Sequence, residues 1–252
     1  LIWPAATGRD LLRRVPLADA EWRHDLAGQV GTKDGSGRSD TVIVEAGFWC
    51  LKTSPRRAYP DCDTARAALA ALARRKIRLG SLLAKNTVLT LEPDTQGAYW
   101  MWTVSPWLTT LRASMAYADK YGYLESLRES LILYADAALE SLKLALEREI
   151  QLDVHPSNFA RLGSQVYYVD DDIGSGLRVP SIGHALLRRV EEYARHPHVV
   201  EAYVSHIARA LRQKFSRKEL ASLEIEEALT KAIVSSAAGQ TARGQLLEAT
   251  AW

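Results

Sequence analysis

The sequence predicts an α+β protein in two parts, residues 1–104 rich in strands around one main helix and residues 105–252 largely helical. Three observations predict it. Runs rich in β-branched and aromatic residues, bounded by turn residues, crowd the first part: Thr41-Val42-Ile43-Val44, Phe48-Trp49-Cys50-Leu51-Lys52, Asn86 to Leu91 and Ala98 to Val104. One alanine-rich segment, 61–79, interrupts them. Beyond residue 107, apolar residues recur at threes and fours over long stretches, broken by a short β unit around 151–174.

Residues 1–20, with Pro4, Pro16 and basic pairs, read as a lead-in with a short helix. From Glu21 to Thr53, Gly28, Gly31, Gly35 and Gly37 form a flexible turn ahead of two strands. Backbone N–H groups in such a turn can approach phosphates. No Gly-x-Gly-x-x-Gly is present, however, and the same residues read equally well as a plain hairpin loop. In the helix 61–79, Asp61 or Asp63 caps the start, Ala67, Ala68, Leu69, Ala71, Leu72 and Ala73 propagate it, and Gly80 ends it. Its basic residues, Arg66, Arg74, Arg75, Lys76 and Arg78, read as a solvated face, with an acidic substrate as the alternative contact. Asn86–Leu91 and Ala98–Val104 make a hairpin through Pro93-Asp94-Thr95-Gln96-Gly97. Tyr99, Met101 and Thr103 face one side of it and Trp100 and Trp102 the other, with core packing expected for at least one face.

In the second part, Trp107–Lys120 and Leu124–Glu149 read as helices. Leu124, Leu127, Leu131, Tyr134, Ala138, Leu142 and Leu146 give the longer one a buried stripe. Pro180 starts a further helical run to about Arg195, which Pro197 breaks, and Val199–Phe215 and Lys218–Ala237 read as two more helices.

At 252 residues, with 47% apolar and 25% charged residues, the composition is ordinary for a globular chain large enough for two lobes. Thirty-two basic residues against 30 acidic ones give +2, so no nucleic-acid partner is expected from overall charge. No apolar run reaches the roughly eighteen residues of a membrane span. Cys50 and Cys62 are too few for a disulfide framework and wrongly spaced for zinc. A cytoplasmic location is therefore expected. Leu1-Ile2-Trp3-Pro4 carries no signal-peptide pattern, and a secreted effector stays open as the alternative.

The densest chemistry lies in Gln151-Leu152-Asp153-Val154-His155-Pro156-Ser157-Asn158 and in Val166-Tyr167-Tyr168-Val169-Asp170-Asp171-Asp172-Ile173-Gly174. An aspartate and an asparagine five residues apart, then a short apolar strand closed by carboxylates, supply a proton acceptor and hard oxygen ligands in one loop-strand-turn unit. Phosphoryl transfer needs those parts. A turn that merely caps a helix would use the same residue types, but it does not ask for the strand and carboxylates that follow.

This pattern resembles the kinase-like superfamily, nearest to its aminoglycoside and choline phosphotransferase branch, whose loop runs Asp-Leu-His-Pro-Gly-Asn. Asp153-Val154-His155-Pro156-Ser157-Asn158 is the match. The resemblance implies a two-lobed protein-kinase-like fold, with a small β-rich N-lobe over 1–104 and a larger helical C-lobe over 105–252. It implies a transferase that binds ATP and Mg2+. Asp153 is then the catalytic base and Asn158 a metal ligand, while His155 and Pro156 shape the loop. Lys52, at the end of an apolar strand, is placed on the nucleotide's α- and β-phosphates. Val104 to Trp107 becomes the hinge beside the adenine.

Two departures from the family pattern stand out. The branch has His-Gly before the aspartate, where this chain has Gln151-Leu152, and helix 61–79 has no glutamate in its middle to pair with the strand lysine. Either Asp63 substitutes, or the metal-site carboxylates hold Lys52, or the enzyme is impaired. Of the three aspartates, alignment with the branch makes Asp170 the metal ligand, and alignment of Asp172-Ile173-Gly174 with Asp-Phe-Gly makes it Asp172. Asp171 keeps the protein-kinase spacing without either set of flanking residues. Strand alternation sends Asp170 and Asp172 to one side, where they can share the site, with Asp170 preferred.

The activity so implied is ATP-dependent transfer of a phosphoryl group to a small-molecule hydroxyl. A protein serine/threonine kinase of effector or toxin kind is one alternative, although no Ala-Pro-Glu follows and only Gly174 to Ser181 precedes the next helix. A nucleotide-binding pseudokinase acting as an interaction protein is the other.

Overall fold

In the computed structural model, which describes residues 2–5, 7–15, 21–22, 42–177, 179 and 181–251, the chain is α+β, strand-rich at the start and mostly helical afterwards. It divides into two compact units, Leu1–Leu108 with Tyr167–Asp171, and Thr109–Val166 with Asp172–Trp252. The split falls near the 104/105 division read from sequence. The segment Tyr167–Asp171 departs from that division by belonging with the first unit.

The first unit is built on one antiparallel sheet whose described strands run in the order β1-β6-β7-β4-β3-β2: Ile2–Trp3, Val88–Pro93, Tyr99–Pro106, Trp49–Thr53, Val42–Ala46 and Glu21–Trp22. The short β5, Ala58–Tyr59, also pairs with β7. β7 is central. It takes β6 in the register Val88↔Val104 to Pro93↔Tyr99 and β4 with Leu51↔Val104 and Lys52↔Thr103.

Apolar residues on both sides of β7 give the sheet two packed faces. On one, Leu89, Leu91 and Met101 meet Ala65, Leu69, Leu72 and Ala73 of a helix. On the other, Val88, Val104, Leu51 and Ala46 pack with Trp49, Trp102, Leu11 and Leu12. Burying one such leucine is worth about 1.5–3 kcal/mol, enough for these contacts to fix which face each strand turns to the helix.

That helix, α2 (Cys62–Ile77), follows a short α1 (Gly8–Leu12) in the lead-in. Asp61, not Asp63, is its cap, with Oδ1 accepting from Thr64 N at 2.8 Å. Gly80 follows it with φ +58°, a conformation glycine adopts without strain. The glycine-rich turn at 28–37, together with Pro16 and Thr41, lies outside the described residues.

In the second unit, the helix expected from Trp107 starts only at Leu111, because Thr109–Thr110 forms the strand β8 and Thr110 caps α3, Leu111–Lys120. α4 spans Leu124–Arg148, with Leu127, Leu131, Tyr134, Ala138 and Leu142 of the expected stripe buried, whereas Leu124 at its start is exposed and Leu146 near its end is half-buried. Glu149, left-handed at φ 51°, turns the chain into β9, Ile150–Leu152. β9 pairs antiparallel with β12, Ile173–Ser175, through Leu152↔Ile173. β10, Phe159–Leu162, pairs with β8, and β11, Gln165–Tyr168, carries the chain into the first unit.

α5 is Ile182–Glu192, and the Pro180 expected at its start lies outside the described residues. Pro197 opens α6, Pro197–Lys214, from its first turn, where a missing N–H costs nothing. The single helix expected over Lys218–Ala237 is instead two, α7 (Arg217–Ser222) and α8 (Ile225–Lys231), broken by Glu224 at φ 55°. An unanticipated α9, Ala237–Ala251, ends the fold. Its start is held by Glu191, whose carboxylate accepts from the backbone N–H and the hydroxyl of both Ser235 and Ser236. Among the described residues no helix is long and apolar enough to cross a membrane.

Candidate functional site

The loop after β9 is a tight hydrogen-bonded turn in the second unit. Asp153 is exposed, and its carboxylate is fixed from within the loop: Oδ1 accepts from His155 N at 3.1 Å and Oδ2 from Asn158 Nδ2 at 3.0 Å. Asn158 Nδ2 also donates to the Asp153 carbonyl at 3.2 Å, so the two ends of the hexapeptide are tied together. His155 Nδ1 lies 2.6 Å from Ser157 Oγ, and Pro156–Asn158 forms one turn of 3-10 helix.

The base of the loop is apolar. Val154 and Pro156 are buried, and Tyr134 from α4 donates its hydroxyl to the Val154 carbonyl at 2.8 Å. Burial holds the Tyr134 hydroxyl well above the usual phenol range, so it stays protonated and able to donate. Phe159 meets the Tyr134 ring edge-on. The outcome is a solvent-exposed carboxylate on a loop tied by hydrogen bonds at both ends and anchored by Tyr134.

Lys52 and Asp170 lie in the first unit. Lys52, on β4, brings Nζ to 2.7 Å from Asp170 Oδ1 and 3.4 Å from the Val169 carbonyl. Burial pulls the Lys52 pKa down, but Asp170 and Asp171 more than reverse this, and the ammonium stays charged beyond the ordinary lysine range. Asp171 is enclosed: Lys76 Nζ stands 2.5 Å from Oδ1 and Arg57 Nη1 2.8 Å from Oδ2. Burial by itself would raise the Asp171 pKa; Lys76, Arg57 and Lys52 outweigh it and hold the carboxyl far below the usual range. The Asp171 oxygens lack well-angled hydrogen bonds, so proximity of charge holds this carboxylate. Arg57 also donates to Thr103 Oγ1 at 3.1 Å, and Lys76 to the Asp170 carbonyl at 3.2 Å.

Asp63 is solvent-exposed and pairs with Arg66, so the group against Lys52 is Asp170. The alternation expected of the three aspartates does not arise, because the strand stops at Tyr168. Their side chains differ by environment instead: Asp170 is 26% exposed and Asp171 2%, while Asp172 is exposed and belongs to the second unit. Thus Lys52 and Asp170 come together in one unit and Asp153 and Asn158 in the other. Cys50, next to this cluster, has its thiol pushed up to about 11 by burial, which removes it as a nucleophile near neutral pH.

Sequence reasoning missed Lys76, Arg57 and Tyr134 as site-building residues. A signal existed for Lys76. Ala65, Leu69, Leu72 and Lys76 follow the spacing of a single helical stripe, so the lysine falls on the apolar face and not on the solvated one.

Among the described residues no three His, Cys, Asp or Glu side chains gather closely enough to hold a metal by themselves. The donors that are present, carboxylates and the Asn158 amide, are hard oxygens. They suit Mg2+, which fills its remaining positions with water and phosphate oxygens.

The described chain is thus an α+β protein carrying two polar constellations. No protein-family model matches it, and no curated protein does. Among solved structures, a choline/ethanolamine kinase family protein from Mesorhizobium loti is similar over 98% of this chain and 93% of its own, at 16% identity and a TM-score of 0.31. A likeness that distant assigns neither fold nor activity.

Proposed function

We propose that the chain is an ATP- and Mg2+-dependent phosphotransferase of the kinase-like kind, acting on a hydroxyl of a small molecule. The observation that carries this reading is the Asp153–Asn158 loop, in which a solvent-open carboxylate is oriented by its own asparagine and by the His155 amide. A general base has to be fixed and still reachable by the hydroxyl it serves.

In this reading Asp153 accepts the proton of the attacking hydroxyl. Lys52, kept charged by its carboxylates, provides a positive charge for the nucleotide phosphates. Asn158, Asp170 and Asp172 would be the oxygen ligands for the metal. When bound, Mg2+ supplies charge neutralisation at the transferring phosphoryl group. Asn158 donates through Nδ2 to Asp153, which leaves its amide oxygen as the donor for the cation.

One observation favours a second reading, a pseudokinase that binds nucleotide without turnover. The helix offers Lys52 no carboxylate, and Lys52 is paired with Asp170, a residue the metal would need. Incubation of purified protein with Mg2+ and γ-labelled ATP, against a panel of hydroxyl metabolites and of proteins, separates the readings. Label on a small molecule, lost in Asp153→Ala, is the expected result. Nucleotide binding without transfer would move the assignment to the pseudokinase, and label confined to proteins would move it to a protein kinase.

A further inference from the structure

Lysine is a costly residue on the buried stripe of a helix, since an ammonium out of water needs a partner. Lys76 occupies that stripe beside Leu69, Leu72 and Ala73, with its side chain 3% exposed. It ends on two consecutive residues: Nζ lies 2.5 Å from Asp171 Oδ1 and donates to the Asp170 carbonyl at 3.2 Å. Arg57 takes the other Asp171 oxygen at 2.8 Å and braces it against Thr103 of the sheet. The backbone at 170–171 is therefore held from the helix and from the sheet, and the carboxylate left over, that of Asp170, stands 2.7 Å from Lys52.

We propose that Lys76, with Asp171 as its fixed partner, is the positioning residue through which helix Cys62–Ile77 sets the place of Asp170 and, through Asp170, of Lys52. The helix acts here with a cation on the segment that follows the strand, and it does not touch Lys52 with a carboxylate of its own. The alternative is a role in charge balance alone, in which Lys76 neutralises a buried Asp171 and any neutral pair would serve as well. That Asp170 and Lys52 then matter for nucleotide binding rests on the phosphotransferase reading. The anchor itself does not.

Four variants decide the matter: Lys76→Met, Lys76→Arg, the double variant Lys76→Met/Asp171→Asn, and the solvent-face control Arg75→Met. Each is followed by thermal denaturation, by amide hydrogen exchange across 167–172, and by calorimetric titration with ATP at several Mg2+ concentrations. In Lys76→Met and in the double variant, exchange at 170–172 should accelerate by about tenfold or more as local opening becomes easier. The Mg2+ needed for ATP binding should rise by about tenfold, as when a partner that orients a metal ligand is removed. Lys76→Arg should recover most of both effects, and Arg75→Met should show neither.

The double variant removes the buried Lys76–Asp171 pair but leaves Arg57 without its carboxylate, so its stability should recover only part of the loss seen in Lys76→Met, while exchange and Mg2+ requirement stay altered. A double variant with parental exchange and parental Mg2+ requirement overturns the proposal and leaves charge balance as the role of Lys76. Should Lys76→Met fail to fold, the double variant carries the comparison. Should the parent protein bind no ATP, the exchange measurement still decides the anchor, and only the functional reading falls.

Discussion

The hydroxyl of Tyr134, in the middle of the longest helix, donates to the carbonyl of Val154 at 2.8 Å, one residue beyond Asp153. Both groups are fully buried, so water cannot replace either partner. Tyr134→Phe keeps the ring and its edge contact with Phe159 but leaves that carbonyl unsatisfied, at a cost of about 1–3 kcal/mol. Denaturant unfolding should register this loss. If the bond also fixes the loop for catalysis, turnover should fall while ATP affinity changes little. A variant with parental stability would show that the bond contributes nothing.

If the chain is the phosphotransferase proposed above, with Asp153 as its base, Asp153→Ala should lower phosphoryl transfer by about 10²–10⁴ with nucleotide affinity within a few-fold. Single-turnover transfer and calorimetry on the same sample test this. Near-parental turnover would remove Asp153 from the role of base.

The three aspartates should separate by phenotype. On the proposed function, Asp170→Ala should abolish Mg2+-dependent transfer in a folded protein, and Lys52→Ala should weaken ATP binding if its charge serves the phosphates. Asp171→Ala should cost about 3–5 kcal/mol of stability, since it leaves Lys76 and Arg57 without their buried carboxylate, and should raise the Mg2+ requirement without abolishing transfer. Loss of transfer confined to Asp172→Ala would instead favour the Asp-Phe-Gly-like alignment. Loss in Asp171→Ala with undiminished stability would sink the division of labour drawn here.

The same carboxylate sets a pH dependence. The Asp171 pKa is depressed in the folded chain, so its contribution is complete above the ordinary carboxylate range and declines as pH falls below it. Glu191 behaves alike at the start of the last helix, where bonds from Ser235 and Ser236 lower its pKa to about 2. Acid titration followed by circular dichroism should show loss of structure below about pH 4, where these groups would protonate in the unfolded chain. Glu191→Gln should shrink the part that belongs to the last helix, as local exchange at 236–240 would report. Unchanged exchange there would mean that the helix is held by packing alone.

Much of the fold is legible in the sequence where one period dominates. The hairpin Val88–Pro93 and Tyr99–Pro106 is signalled by aromatic and β-branched runs around Asp94 and Gly97, and Leu124–Arg148 by its regular stripe. Boundaries fail where a local contact overrides composition. Glu224 adopts a left-handed conformation that splits a continuous helical pattern, and Ala237–Ala251 has no strong apolar period to announce it, its start being held by Glu191, distant in sequence. The polar loop Asp153–Asn158 is legible because its bonds are local. The Lys76–Asp171 pair is hidden among four basic neighbours and three consecutive aspartates, and only burial tells which lysine and which aspartate meet.

Tyr167–Asp171 reaches the first unit only after the chain has traversed Thr109–Val166 of the second. Synthesis from the N-terminus therefore produces Lys76 and Arg57 long before the carboxylate they enclose. Domains made first on the ribosome commonly fold first, but here the sheet and helix of the first unit carry two cations whose shared buried carboxylate is encoded only after the Asp153–Asn158 loop. The N-terminal unit is thus the first to be translated and cannot be the first to be finished. A gene cut at residue 108 would yield a part that no later addition of the C-terminal half as an independent piece could complete without carrying Asp171 back across the cut.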